Sequence, residues 1–360
     1  MGLTKAHSTI WLVAPSFPLT EAMWDVLNKF IPRETLERKS ESKLFAQFKN
    51  GSLIQCRSAD NPDTLISKGL DLVIVDEAAQ IAPDAWYQSL RPALADKKGK
   101  AIFISTPKSR NWFFDIYQLG EDPEEPEWKS FHFPSYTNPY LDPKEIEAMK
   151  KGMPERLFRQ EVLAEFTDNS GAVFRNIEKC IKGEYYGPEK YPSHAYVMGV
   201  DLAKYQDFSV IIVIDIDTHH VCHFDRFTSV DFSLQKSRII STARKYRAPI
   251  YLDATAMGIP ILEDLKKENV TVYGISIQTA MKQYLIDGLS IALEQELINF
   301  PNEPVLINEL RSYEYTSTPS GNLKSGAPKG KHDDCVNALA LAWYGTSRGQ
   351  WKVMVYHNLF

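Results

Sequence analysis

Short runs of mostly aliphatic residues end on aspartate, among them Leu70-Asp71-Leu72-Val73-Ile74-Val75-Asp76, Tyr196-Val197-Met198-Gly199-Val200-Asp201 and Ile250-Tyr251-Leu252-Asp253. Runs this short and this apolar read as strands buried on both faces, which belong to largely parallel sheets covered by helices. Segments with a helical period alternate with them, so the chain is expected to be α/β. In the first half, residues 10–14 and 101–105 are further strands, 21–30 is helical, and Asn50-Gly51 turns a hairpin. In the second half the strand at 196–201 is followed by strands at 209–215 and 221–227, the latter antiparallel. Helices at 234–246, 260–268 and 283–296, strands at 250–253 and 271–275, and a last helix at 333–344 complete it.

With 360 residues, 44% of them hydrophobic and 24% charged, the chain has material for two or three domains and no sign of disorder. The first is expected over residues 1–168, closed by two helices that break near Gly152 and Pro154. A Gly- and Pro-bearing stretch at 169–194 is expected as a linker, and residues 195–360 as a second domain. No apolar run approaches the roughly 20 residues of a membrane span, and no leader opens the chain, so a cytoplasmic protein without a membrane partner is expected. Cys56, Cys180, Cys222 and Cys335 show no CxxC spacing, so they read as reduced thiols. The formal charge of −5 creates no global field for a polyanion, and any nucleic-acid surface must be local.

The strand ending in Asp76-Glu77 has the Walker B pattern. One carboxylate at the end of a parallel strand can hold magnesium, while its neighbour polarises the water that attacks a nucleotide. Ser105-Thr106-Pro107 follows the next strand, where small hydroxyls on a turn can sense a phosphate. Each string alone also fits a plain strand end or turn; together they have the layout of a helicase-like or packaging ATPase core. A P-loop, GxxxxGK[ST], is absent: only Gly2 precedes Gly51, and neither Gly99-Lys100 nor Gly330-Lys331 has the required companions. The chain alone is expected to hydrolyse ATP poorly, with ATP and magnesium bound only if that loop is supplied.

In the second half, Asp201 and Asp253 arrive at strand ends, and His332-Asp333-Asp334 opens the last helix. Singly, each acid also fits an ordinary helix cap or strand-end turn. Their order, strand-Asp, strand pair, strand-Asp, Asp-Asp-helix, is that of the ribonuclease-H-like nuclease fold. Packed carboxylates stay ionised only when cations join them. Two magnesium or manganese ions about 3.5–4 Å apart would activate water and stabilise the leaving oxygen of a phosphodiester. Asp334 is favoured slightly over Asp333 as the ligand. Lys204, Arg311, Lys324, Lys329 and Lys331 gather near these acids and either clamp a DNA backbone or line a solvated loop.

Taken together, the two halves resemble the large terminase subunit of tailed bacteriophages, in which an ATPase domain is joined to a ribonuclease-H-like nuclease. The resemblance runs through Trp11-Leu12-Val13-Ala14-Pro15-Ser16, Glu21, Trp24-Asp25, Val75-Asp76-Glu77-Ala78 and Ser105-Thr106-Pro107. It continues through Asn138-Pro139, Arg159-Gln160-Glu161, Phe166, Gly199-Val200-Asp201, Leu252-Asp253-Ala254 and His332-Asp333-Asp334. It implies that Asp76 is the Walker B magnesium residue, Glu77 the catalytic carboxylate, and Ser105 and Thr106 part of the coupling motif. Asp201, Asp253 and Asp333 or Asp334 would be the nuclease metal ligands.

By the same resemblance the family's P-loop and its opening strand would lie upstream of Met1, as in a truncated or split reading frame. Asn337 stands near where many relatives carry a further acid. The implied function is endonucleolytic cutting of concatemeric double-stranded viral DNA during packaging in the host cytoplasm. The implied partners are portal protein, the small terminase subunit and further copies of the chain. Competing readings are a resolvase- or transposon-type nuclease, a motor ATPase whose P-loop sits on another chain, and a remnant that docks on portal or small terminase without chemistry.

Overall fold

The computed structural model describes residues 5–66, 69–108, 110–167, 171–202, 208–228, 231–255, 258–317 and 323–347. The chain divides into two compact units, one drawn from Met1–Thr137 and Arg159–Asp168, the other from Asn138–Phe158, Asn169–Thr318 and Asn322–Phe360.

The first unit is built on a six-stranded sheet. In chain order its elements are β1 (Thr9–Ala14), α1 (Phe17–Phe30), β2 (Leu36–Ser40), β3 (Phe45–Phe48), β4 (Leu53–Ser58), β5 (Leu72–Asp76), α2 (Arg91–Ala95), β6 (Lys100–Ile104) and α3 (Trp112–Glu121). The sheet order is β2-β3-β4-β1-β5-β6, with β4, β1, β5 and β6 parallel and the β2-β3-β4 ribbon antiparallel. Alternate residues of β5 face opposite sides. Val73 and Val75 enter a core with Trp86, Leu90, Phe113 and Ile116, whereas Leu72 and Ile74 face the other way. On that second side α1 packs mainly over β1 and β4, where Trp24 shares a core with Cys56 and Ala46. Ile102 and Ile104 of the edge strand β6 are left 47% and 53% exposed, with Ile102 in register beside Ile74.

Two helices, α4 (Pro143–Gly152) and α5 (Glu155–Glu161), separate at Met153 and Pro154, close to the break the sequence suggests. Residues 138–158, expected to close the first unit, cluster instead with the second. The stretch expected as a linker is also built into that unit. Its β7 (Gly171–Ala172) adds to a small sheet, and α6 (Ile177–Cys180) follows, with Val173, Phe174, Ile177 and Cys180 buried in the core. Glycines and prolines hide a stretch in which Val173, Phe174, Ile177 and Cys180 turn inward.

The remaining elements of the second unit are β8 (Tyr196–Asp201), β9 (Ser209–Asp215), β10 (His220–Phe227), α7 (Phe232–Tyr246), β11 (Ile250–Asp253), α8 (Gly258–Lys267), β12 (Val272–Ile275), α9 (Thr279–Glu294), α10 (Pro304–Ser312), β13 (Glu314–Ser317), β14 (Leu323–Gly326) and α11 (Asp334–Thr346). The main sheet runs β10-β9-β8-β11-β12. Here β9 is antiparallel to both neighbours, and β8, β11 and β12 are parallel. Val197, Ile212 and Ile214 face α9 and α11, while Met198, Val200, Ile211 and Val213 face α7 and α8. Both faces are covered, so β9 is buried along its whole length.

Gly199 sets how closely α11 approaches. A Cβ there would stand 2.2 Å from the Ala338 carbonyl oxygen and 2.4 Å from the Ala342 nitrogen. The absence of a side chain lets the helix backbone lie directly on β8, two residues before Asp201. The Ser-, Gly- and Lys-rich segment forms the antiparallel pair β13 and β14, with residues 318–322 outside the described set.

Candidate active site

The second unit gathers its acids at one end of the sheet. Asp201 closes β8 and is 9% exposed. Leu252 pairs with Val200 in the adjacent parallel strand, so Asp253 emerges beside it. The approach of α11 over Gly199 then delivers the helix start. Asn337 donates its side-chain N–H to Asp201 Oδ2 at 3.0 Å. Burial pushes the Asp201 carboxyl well above the usual carboxylate range. The charges of Asp334, Asp253 and Asp333 push it further, in that order, against the pull of the Asn337 bond.

Each remaining acid is held differently. Asp253 accepts the Thr255 backbone N–H at 2.9 Å and its hydroxyl at 2.8 Å, an Asx-type turn that fixes the carboxylate at the strand end. Asp334 accepts the Phe208 N–H, just before β9, at 3.3 Å, and the His332 ring lies 3.7 Å away. Asp333 occupies the cap position of α11 but makes no capping bond; it pairs with Lys282 of α9 at 2.9 Å. The helix start is held instead by buried Glu309, whose Oε2 accepts the Cys335 N–H at 2.8 Å and whose Oε1 lies 3.5 Å from Arg226.

Three ligand atoms mutually within 4.8 Å, the requirement of a single small ion, are found among the described residues only in His194, Asp215 and Asp217. That group reads as a turn clamp. Asp215 is fully buried and its oxygens already accept the Tyr186 hydroxyl, the His194 ring and the N–H groups of Asp217 and Thr218. Asp201, Asp253 and Asp334 stand further apart than one ion demands. Their oxygen donors, gathered at one sheet end with the charges of Asp334 and Asp253 adding to the burial that raises Asp201, suit hard divalent cations.

In the first unit, Asp76 ends β5 half-buried, its carboxyl raised by burial and then by the charge of Glu77. Glu77 adopts a left-handed backbone, φ 49° and ψ 44°, a strained conformation for glutamate of the kind found at functional sites. Its Oε2 accepts the Gln80 amide at 2.8 Å and the Ser105 hydroxyl at 3.4 Å, while Ser105 Oγ accepts the Ala79 N–H. The Asp-Glu end and the Ser-Thr turn are therefore joined, with Thr106 adjacent through its carbonyl, which takes the Ser105 hydroxyl.

Of the basic residues singled out in the sequence, Lys324, Lys329 and Lys331 are exposed on β14 and the turn after it. Arg311 is engaged by Glu178 through Nε and Nη2 at 3.0 and 2.7 Å. Lys204 lies outside the described residues. Sequence reasoning missed Lys282 and Arg226, and saw Asn337 only as a missing acid. Lys282 and Glu309 each stand among several other polar residues of α9 and α10, so no local signal marked them.

A five-stranded sheet with one antiparallel strand, acids at two strand ends and a third at a packed helix defines a ribonuclease-H-like nuclease fold. The first unit has the sheet of an ATPase core. Family models match both parts: "Terminase RNaseH-like domain" over residues 198–344 and "Terminase large subunit, T4likevirus-type, N-terminal" over residues 26–179. The chain belongs to the terminase large subunit family.

A terminase large subunit of Thermus phage G20c is 32% identical over 310 residues, covering 80% of this chain and 64% of the relative. This chain thus spans less than two thirds of that relative's length. The terminase large subunit of Escherichia phage T5 is 28% identical over 371 residues, covering 97% of this chain and 83% of the relative. The solved large terminase of another thermophilic bacteriophage superposes with a TM-score of 0.55 at 12% identity, covering 96% and 87% of the two chains, a likeness of fold.

Proposed function

We propose that the second unit is a metal-dependent endonuclease that cuts double-stranded viral DNA during genome packaging, with Asp201, Asp253 and Asp334 holding two magnesium or manganese ions. The observation that carries this reading is the burial of Asp201 among three further acids at one sheet end. When bound, the ions would supply an activated water and charge stabilisation for the leaving oxygen. The chain's own residues do the rest. Asn337 orients Asp201, Thr255 fixes Asp253, Glu309 holds the start of α11, and Lys324, Lys329 and Lys331 offer ammonium groups to phosphates. In a supercoiled-plasmid assay with manganese, Asp201→Asn is expected to lose cleavage; undiminished cutting refutes the assignment. Portal protein, the small subunit and further copies of the chain belong to the same proposal as packaging partners.

A second reading concerns the first unit, which supports ATP hydrolysis once a phosphate-binding segment lies beside β6. The observation favouring it is the exposed pair Ile102 and Ile104 beside half-buried Ile74 on a parallel sheet, next to the joined Glu77 and Ser105. Parallel sheets are normally covered on both faces, and a strand, loop and helix added here would cover these isoleucines and bring the loop to the acids. ATP turnover should stay at background for this chain and appear when a segment bearing GxxxxGK[ST] is added. No gain on addition refutes it.

A further inference from the structure

Consecutive residues at a helix start point about 100° apart, so Asp333 and Asp334 do not present their carboxylates to the same point. The structure separates them. Asp334 turns toward the β9 start, where its Oδ2 accepts the Phe208 N–H at 3.3 Å. Asp333 turns toward α9, where Lys282 Nζ meets its Oδ2 at 2.9 Å. Because Glu309 takes the Cys335 N–H, Asp333 is not needed as a cap. Lys282 is itself confined: its ammonium lies 6.0 Å from the ring centre of Tyr313, a fully buried residue.

We propose that Lys282 is a positioning residue that holds Asp333 out of the metal cage and so selects Asp334 as the ligand from the last helix. The proposal rests on the nuclease reading and deepens it. Without the ammonium, Asp333 is a partly buried carboxylate with its charge uncompensated beside the cage. It then adds negative charge and a further oxygen donor to the cage, so divalent cations bind more tightly while cleavage slows. A merely structural lysine would lower both together.

The test is calorimetric titration of manganese into the whole chain, with melting curves recorded alongside. Lys282→Met is expected to bind manganese about tenfold more tightly and to cut plasmid more slowly. Lys282→Arg, which keeps the charge, should stay within about threefold of the parent, as should Asp333→Asn and the double variant Lys282→Met/Asp333→Asn. Asp334→Asn should weaken binding by about tenfold or more. Unchanged or weaker binding in Lys282→Met overturns the proposal, and so does a loss in Asp333→Asn as large as that in Asp334→Asn. That second comparison decides the matter even if Lys282→Met fails to fold. Asp201→Asn separates the two levels. If it binds manganese like the parent, the nuclease reading fails; if it loses binding while Lys282→Met is unmoved, only the role of Lys282 fails.

Discussion

Asp201 and Asp76 hold equivalent stations in two sheets, each at the carboxyl end of a central strand, yet their surroundings differ. A packed helix, a neighbouring strand and an amide close around Asp201, which is buried. Asp76 is half-buried, next to an edge strand with exposed isoleucines and a sheet face that α1 covers only in part. The sequence signal is equally plain at both. A strand-end carboxylate becomes a site through the elements that converge on it, and the motif by itself does not report whether they are present. The sharpest way to break this comparison is to neutralise both acids. Asp201→Asn should reduce manganese-dependent plasmid cutting by about 100-fold or more, while Asp76→Asn should leave it within about twofold. Equal losses would mean that the two strand ends work as one site.

The next effect concerns the contact that makes Asp201 different. Gly199→Ala places a methyl carbon against backbone atoms of α11, which cannot rotate away as a side chain would. Overpacking of this kind costs about 1–3 kcal/mol, so the melting temperature should fall by several degrees and manganese binding should weaken as the helix start is displaced. A variant that melts with the parent would show that α11 is free to shift, and Gly199 would lose its part in the argument.

A third test contrasts Asp201 with Asp287 of α9, another carboxyl raised by burial, to about 6, which accepts the Gln283 amide at 2.7 Å. A carboxyl raised in the folded chain contributes stability that is complete below its ordinary pKa of about 3.9 and is lost as pH rises through the folded value. Asp287→Asn should therefore stabilise the chain above pH 6, by on the order of 1 kcal/mol, and flatten the pH dependence between about 4 and 7. Asp201 obeys the same sign; if it holds divalent cations as proposed, stabilisation by manganese should grow as pH rises. Chemical denaturation at pH 5 and pH 8, with and without manganese, reads both; an Asp287→Asn variant less stable at pH 8 would reverse the assignment.

Much of this was legible in the residues because both signals are periodic. Apolar strands ending in acids stand out at 70–76, 196–201, 209–215 and 250–253, and the alanine- and leucine-rich helix after Asp333 is equally plain. What escaped was set by tertiary contact. Residues 171–180 show no sustained strand or helix period, yet Val173, Phe174, Ile177 and Cys180 are buried. Asp333 has the composition of a cap, but Glu309, 26 positions from Cys335, takes that role. Lys282 and Asp333 are 51 positions apart and carry no local mark of their pairing.

The smallest expected effect separates two basic residues that look alike in the sequence. Arg311 sits on α10 with its guanidinium held by Glu178, and both side chains are more than half exposed. Such a pair contributes less than about 1 kcal/mol to stability, and the guanidinium must leave Glu178 before it can meet a phosphate. Lys324 is exposed on β14, in the same small sheet as β13 and β7. A lysine that neutralises one DNA phosphate lowers the salt dependence of binding by about one unit of slope when removed. Lys324→Ala should therefore flatten a plot of log affinity against log salt by about one unit, while Arg311→Ala leaves the slope where it was. Plasmid binding measured across a salt series in calcium, which limits cutting, makes the comparison. The opposite ranking would move the DNA path from the β14 side to the α10 side of this unit.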